Sequence, residues 1–565
     1  MTRQQRKELL ASVDSMLDFV SQDTALPIRH KVKRKLISRD QVTRYLQKRM
    51  HDDESTKRLE RSEIVLKKFG LLDRSFELQP FLVTLLTEQI AGFYDNKTKT
   101  VNLLDWVDPK EQKPVLAHEL THALQDQAVD LDKWGDSGVH GISKDLADDR
   151  RHIATDELET AREAVAEGQA MVVFYDDALR ATGKSLADLP ADQPLIDPSG
   201  DSDTQGSPVM ARAPYLLQQS LLFPYSYGLG FEQTVLHRRG KPGAFADVLA
   251  HPPSTSYEIM NPRIWLEHGD VPTVTMPDLH PLLDPEFAPF DIGVMGELDV
   301  RILGHILGGE AATDKLAPNW AGGIYYAAQR RSAIPAKRSP TPSDPSTVHQ
   351  PSSRPEPETG AAERPLYFAL PTPTDRATTA SIALVYESHW RTREAARSFA
   401  ALYALGLHHQ YATIKRRPAD EASPKEQIYT TDEGDALILT SGHTVFLAEG
   451  LPLPLARQVA HLFAVPEGSG PQIQAQLQRA RPDLVPALHE PTLSLTHLLQ
   501  GTAISKGTVL STEAQRSGEI PSLKGHHSNR PLHPARHFDP ARSRCGKNPR
   551  SSLLSTERSD APSIS

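Results

Sequence analysis

Cysteine is almost absent from this 565-residue chain: Cys545 is the only one. That excludes an intramolecular disulfide framework and any cysteine-rich metal site. A bound metal would have to be held mainly by His, Asp or Glu. No run of 18 or more apolar residues occurs, so no integral membrane segment is expected. A basic excess is also missing. Lys and Arg total 63 against 72 Asp and Glu, a formal charge of −9. This argues against a dedicated nucleic-acid binder, which needs cations to neutralise phosphates. Residues 1–20 lack an apolar h-region and a cleavage site, so no signal peptide is visible and a cytoplasmic location is expected as read. Hydrophobic residues are only 38%, low for a chain that folds throughout.

Proline is abundant instead, 45 residues or about 8%. Residues 332–365 hold a dense share of it among Ser, Thr and charges, the composition of an extended linker. Residues 505–565 carry one aromatic, Phe538, and cannot bury enough apolar surface to offset chain entropy, so a disordered tail is expected.

Residues 1–90 read as a helical region. Ser38 to Gln41 has the capping-box pattern, and Gly70 is placed to stop a helix that begins near Glu60. Phe93-Tyr94 and Thr100 to Leu104 flank a polar turn and read as a β-hairpin. Pro114 is expected in the first turn of a helix over 115–127, and a second helix over 156–180. From 214 to 331 the pattern is helices and short connections. Residues 366–470 read as a small α+β domain: a strand at 382–386, an amphipathic helix from Arg391 to Leu405 stopped by Gly406, and a hairpin about Ser441-Gly442.

The segment V-L-A-H-E-L-T-H-A-L-Q-D-Q at 115–127 carries the chemistry. His118 and His122 are four apart, so on a helix both imidazoles leave one face one turn apart. That spacing suits one Zn²⁺, with Glu119 beside the first ligand as general base for a coordinated water. Chance alone yields H-E-x-x-H in roughly one chain in twenty of this length, so a third ligand decides the matter. Glu163 and Glu167, one turn apart in A-R-E-A-V-A-E-G-Q-A, both qualify on spacing. Gly168 would let another backbone approach. Glu157 and Glu159 read as a solvated acidic face.

H-E-L-T-H-A-L-Q-D-Q followed by V-A-E-G-Q-A resembles bacterial zinc metallopeptidases of the gluzincin type, the peptidase MA-like group. Further pieces that match are A-G-F-Y-D-N-K-T-K-T-V (91–101), F-P-Y-S-Y-G (223–228), H-P-P-S-T-S-Y-E-I-M-N-P (251–262) and W-A-G-G-I-Y (320–325). S-H-W (388–390) and E-A-A-R-S-F-A (394–400) extend the likeness. The resemblance covers about residues 70–330. It implies a mainly α zincin-like metallopeptidase domain with a small β-hairpin sheet over 91–331. It implies zinc ligands His118, His122 and Glu167, with Glu167 preferred over Glu163, and Glu119 as catalytic base. The implied activity is hydrolysis of a peptide or protein substrate, and proteins of this type are often exported, which an upstream start would allow. Asp126 is placed either to orient a ligand imidazole or to end the helix.

Two positions depart from the pattern. Gln169 stands where Asp is usual, and Asn261 where His is frequent. Tyr225, Tyr227 and Tyr257 are the alternative donors to an oxyanion, though each also reads as a structural aromatic. The spacer from His122 to Glu167 implies an extra loop near Trp134 to Arg151. His408-His409, His526-His527 and Lys415-Arg416-Arg417 read as surface residues. A second reading is a non-catalytic zinc-binding scaffold or interaction protein that keeps the fold. The sequence leaves the oligomeric state open.

Overall fold

The structure is a computed structural model that describes residues 1–49, 53–90, 92–139, 141–190, 195, 207–334, 377–464 and 472–474. The tail at 505–565 lies outside the described residues, as does the linker at 332–365 after its first three residues. The N-terminal part runs α1 (Arg3–Thr24), β1 (Lys33–Ile37), α2 (Arg39–Arg49), α3 (Asp53–Lys68), α4 (Leu78–Gln89), β2 (Gly92–Asp95) and β3 (Thr100–Leu104). The middle is helical: α5 (Pro109–Val129), α6 (Leu131–Gly135), α7 (Leu146–Thr155), α8 (Leu158–Leu179) and α9 (Tyr215–Pro242). Then come α10 (Val248–Ala250), α11 (Ser256–Met260), α12 (Pro262–Glu267), β4 (Thr275–Pro277), α13 (His280–Leu283), β5 (Phe287–Val294), α14 (Glu297–Leu316) and β6 (Trp320–Arg330). The last part holds β7 (Ile382–Trp390), α15 (Arg393–Gln410), β8 (Ile414–Arg416), β9 (Glu426–Thr431), β10 (Gly434–Ser441), β11 (Thr444–Glu449), α16 (Leu453–Phe463) and β12 (Gln472–Gln474). The described residues are thus mostly helical, with a separate antiparallel sheet.

Several local signals act as expected. Ser38 and Gln41 cap α2 reciprocally, Ser38 N–H to Gln41 Oε1 at 2.8 Å and Gln41 N–H to Ser38 Oγ at 3.4 Å. Gly70, at φ 74°, closes α3 in a Schellman motif, with Leu71 N–H on Leu66 O and Gly70 N–H on Lys67 O. The hairpin at 441–444 turns on Gly442, at φ 62°.

Four expectations are corrected. Residues 1–90 are not all helical, because β1 lies among them and pairs in parallel with β3. The expected hairpin is therefore part of a three-stranded sheet ordered β1-β3-β2. Pro114 is inside α5, which starts at Pro109 behind the N-cap Asp108. Its missing N–H costs one helical bond near the start, where neighbouring contacts hold the turn. Gln112, for instance, bonds both the N–H and C=O of Leu104 and so ties that turn to β3. Gly406 does not stop α15. It is buried within the helix, where a Cβ would lie 2.5 Å from Leu307 Cδ2, so it is a notch that lets α14 and α15 pack.

The fourth correction concerns the unit expected at 366–470. Its strands join a seven-stranded antiparallel sheet, β5-β6-β7-β11-β10-β9-β8, to which β5 and β6 come from before the Pro-rich stretch. β6 pairs with β7 from Ala328↔Ala383 to Trp320↔Trp390, with a bulge between Trp320 and Gly323. Two strands of one sheet cannot belong to independently packed cores. Buried polar groups reinforce the join. Lys68 of α3 is fully buried and donates to Glu433 Oε2 at 2.9 Å and to Thr379 O at 3.2 Å. Arg74 also pairs with Glu433 and donates to Gln410 O, and Gln410 donates back to Phe69 O.

Candidate metal centre

α5 is buried on all sides from Val115 to Asp126, which its Val, Leu and Ala residues permit. Its two imidazoles meet α8. His118 Nε2 lies 3.0 Å from Glu167 Oε2 and 3.1 Å from His122 Nε2, and His122 Nε2 lies 3.4 Å from Glu167 Oε2. These three residues could hold a metal ion, and they are the one such group among the described residues. Glu163, the other carboxylate that spacing allowed, stands outside the group. Burial first, then the Glu167 and Glu159 carboxylates, push its pKa well up, which favours its neutral form.

The electrostatics match a cation site. Burial alone would lower the His122 pKa, but the Glu167 carboxylate outweighs it and raises the value to about 9. Burial pushes Glu167 up, and the imidazoles of His122 and His118 override it and hold the carboxyl well below its usual range. Metal binding would be accompanied by release of any proton these groups hold.

Glu119 lies beside this triangle without belonging to it. One carboxylate oxygen, Oε2, accepts the Tyr94 N–H of β2 at 2.7 Å. The other, Oε1, is buried without a hydrogen-bond partner. Burial raises the Glu119 pKa, with the two imidazoles pulling the other way. A buried carboxylate oxygen without a partner can accept a proton.

Sequence reasoning missed the group that orients His122. Gln125, three residues on, accepts from His122 Nδ1 at 2.8 Å. Its amide nitrogen donates to Ala166 O and Gln169 Oε1, both at 2.9 Å. Gln169 in turn donates to Ala244 O at 2.7 Å. Backbone carbonyls at both ends fix which way the amides point, so Gln125 turns an acceptor to His122 and leaves the Nε2 lone pair for a metal. Gln169, the departure from Asp, is part of this chain. Asp126 does not touch a ligand imidazole. It accepts from Tyr94 Oη at 2.7 Å and from Lys99 Nζ. The i, i+3 pair His122 and Gln125 was the readable signal.

Gly168 does admit another backbone: a Cβ there would lie 2.3 Å from Gly228 O of α9. This close packing brings α9 beside the centre. The Tyr225 ring lies parallel to His118 with centroids 6.2 Å apart. Tyr227 packs on Phe223, and the Tyr257 hydroxyl accepts from Arg391. Asn261 donates to Tyr257 O and Glu297 Oε2, a structural role. His408 and His409 are exposed on α15.

Glu157 and Glu159 are not a solvated face. Both are buried: Glu157 accepts from Ser256 Oγ, and Glu159 accepts from Ser137 Oγ and pairs with Arg58. Glu157 lines a cavity of about 260 Å³ with Asp156, Asp291, Asp299 and Tyr325, and none of the metal triad borders it. Burial raises Asp156 to about 7 and Glu157 to about 8.

No helix is long and apolar enough to cross a membrane among the described residues. No protein-family model, curated protein or solved structure matches the chain.

Proposed function

We propose that the chain is a zinc-dependent peptidase of gluzincin-like, zincin-type fold, acting on a peptide or protein substrate. The donor triangle carries this reading. Tetrahedral zinc with bonds of about 2.0–2.1 Å sets neighbouring donors about 3.3 Å apart. The sides of 3.0, 3.1 and 3.4 Å agree with that spacing. Two imidazoles and one carboxylate also form a donor set that leaves a fourth position open.

When bound, the ion lowers the pKa of its water and polarises a carbonyl. His118, His122 and Glu167 hold it, and Gln125 keeps His122 in the tautomer that can do so. Glu119 accepts the proton of the attacking water on its unpartnered oxygen and returns it to the leaving amine. Tyr225, whose ring lies parallel to His118, is the tyrosine assigned to the oxyanion.

A second reading, a non-catalytic zinc-binding scaffold, draws support from burial. His118, His122 and Glu167 are only 3%, 7% and 2% exposed, so a substrate needs an opening between α5, α8 and α9. Peptide-library cleavage by the full chain separates the two. The peptidase reading expects cleavage that a chelator stops and added zinc restores. Zinc-loaded protein that cleaves no peptide in the library would favour the scaffold.

A further inference from the structure

We propose that β1 is a docking edge for an extended, acidic polypeptide segment of a partner protein. β1 is the outermost strand of the sheet β1-β3-β2. Lys33 N–H bonds Lys99 O and Ile37 O accepts from Asp105 N, so Lys33, Lys35 and Ile37 turn their backbone groups toward β3. By strand alternation Arg34 and Leu36 turn theirs outward. Among the described residues no neighbouring strand takes them up.

The side chains give this bare edge one sign. Arg29, Lys31, Lys33, Arg34 and Lys35 are all exposed. Arg34 pairs with Asp14, and no carboxylate among the described residues forms an ion pair with the other four. This concentration of cations occurs in a chain of net charge −9. Lysines on an edge strand also discourage self-pairing. The basic edge at the far end of the large sheet shows the contrast. There, β8 is followed by Arg417, and both arginines are matched: Arg416 pairs with Glu421, and Arg417 with Asp420 and Asp435, which leaves Lys415 alone without a carboxylate among the described residues. At β1 Arg29 donates to Gln127 O and Lys33 to Thr98 O, but only Arg34 meets a carboxylate among the described residues, so the positive charge of the edge is left for a partner. Unpaired N–H and C=O groups flanked by cations fit an acidic strand, through main-chain bonds and charge complementarity together. A lipid surface would use the charges but not the backbone edge.

The test uses the full chain and a fluorescent peptide of alternating Val and Glu, with binding read by anisotropy at roughly 50 mM salt, where screening is weak. The peptide is expected to bind. Binding should fall at least about tenfold for the triple variant Lys31→Glu, Lys33→Glu, Lys35→Glu. It should fall similarly for wild-type protein when alternate amides of the peptide are N-methylated, a control that needs no variant to fold. Three results would overturn the proposal: no binding, equal binding of the methylated peptide, or sedimentation with phosphatidylserine vesicles without peptide binding.

Discussion

Glu119→Gln lowers peptide turnover by roughly 10²- to 10⁴-fold and leaves the metal content unchanged. The amide keeps the size of the carboxylate and can still accept the Tyr94 N–H, so the contact between β2 and α5 survives. What it loses is basicity at the oxygen that has no partner in the folded chain. Glu119 is outside the donor triangle, so the ion should stay. The check is kcat on a cleaved peptide together with metal analysis of the same sample. Wild-type turnover in the variant would contradict the role. Loss of metal along with turnover would show that Glu119 supports the centre instead.

Lys68→Met destabilises the fold by about 3–5 kcal/mol, the effect of removing one partner of a buried ion pair. Lys68 is fully buried, and Glu433 is 9% exposed, so the stranded carboxylate has little access to water. Arg74 still reaches Glu433, which favours the lower part of that range. The network joins α3 to the region of β9 and β10, so urea unfolding should remain one transition with a lower midpoint. Adding Glu433→Gln should recover part of the loss, because it removes the stranded charge. A change under about 0.5 kcal/mol would contradict the assigned weight.

The helix of the candidate metal centre was legible because its signal is local. H-E-L-T-H fixes the geometry of two imidazoles once a helix forms, and the apolar residues around it favour that helix. The choice between Glu163 and Glu167 was not legible from spacing, since both lie on the right face of α8. The resemblance favoured Glu167, and the packing of α8 against α5 brings Glu167, and not Glu163, to the two imidazoles. β1 was missed because Lys33-Arg34-Lys35 has no hydrophobic alternation, and its partner β3 lies far along the chain. β6 was hidden by its composition. Gly322 and Gly323 interrupt any strand alternation, and they make the bulge: Gly322 has φ 126°, and a Cβ on Gly323 would lie 3.0 Å from Met295 O. The Pro-rich stretch then suggested a domain boundary that the β6–β7 pairing crosses. Non-local pairing of this kind leaves no periodic mark in either segment.

Zinc content tests the central claim most directly, on wild type and on Glu167→Ala and Glu163→Ala variants purified without chelators. About one zinc per chain is expected in wild type and in Glu163→Ala, and none in Glu167→Ala. Metal-free wild type, or zinc lost with Glu163 and kept without Glu167, would contradict it.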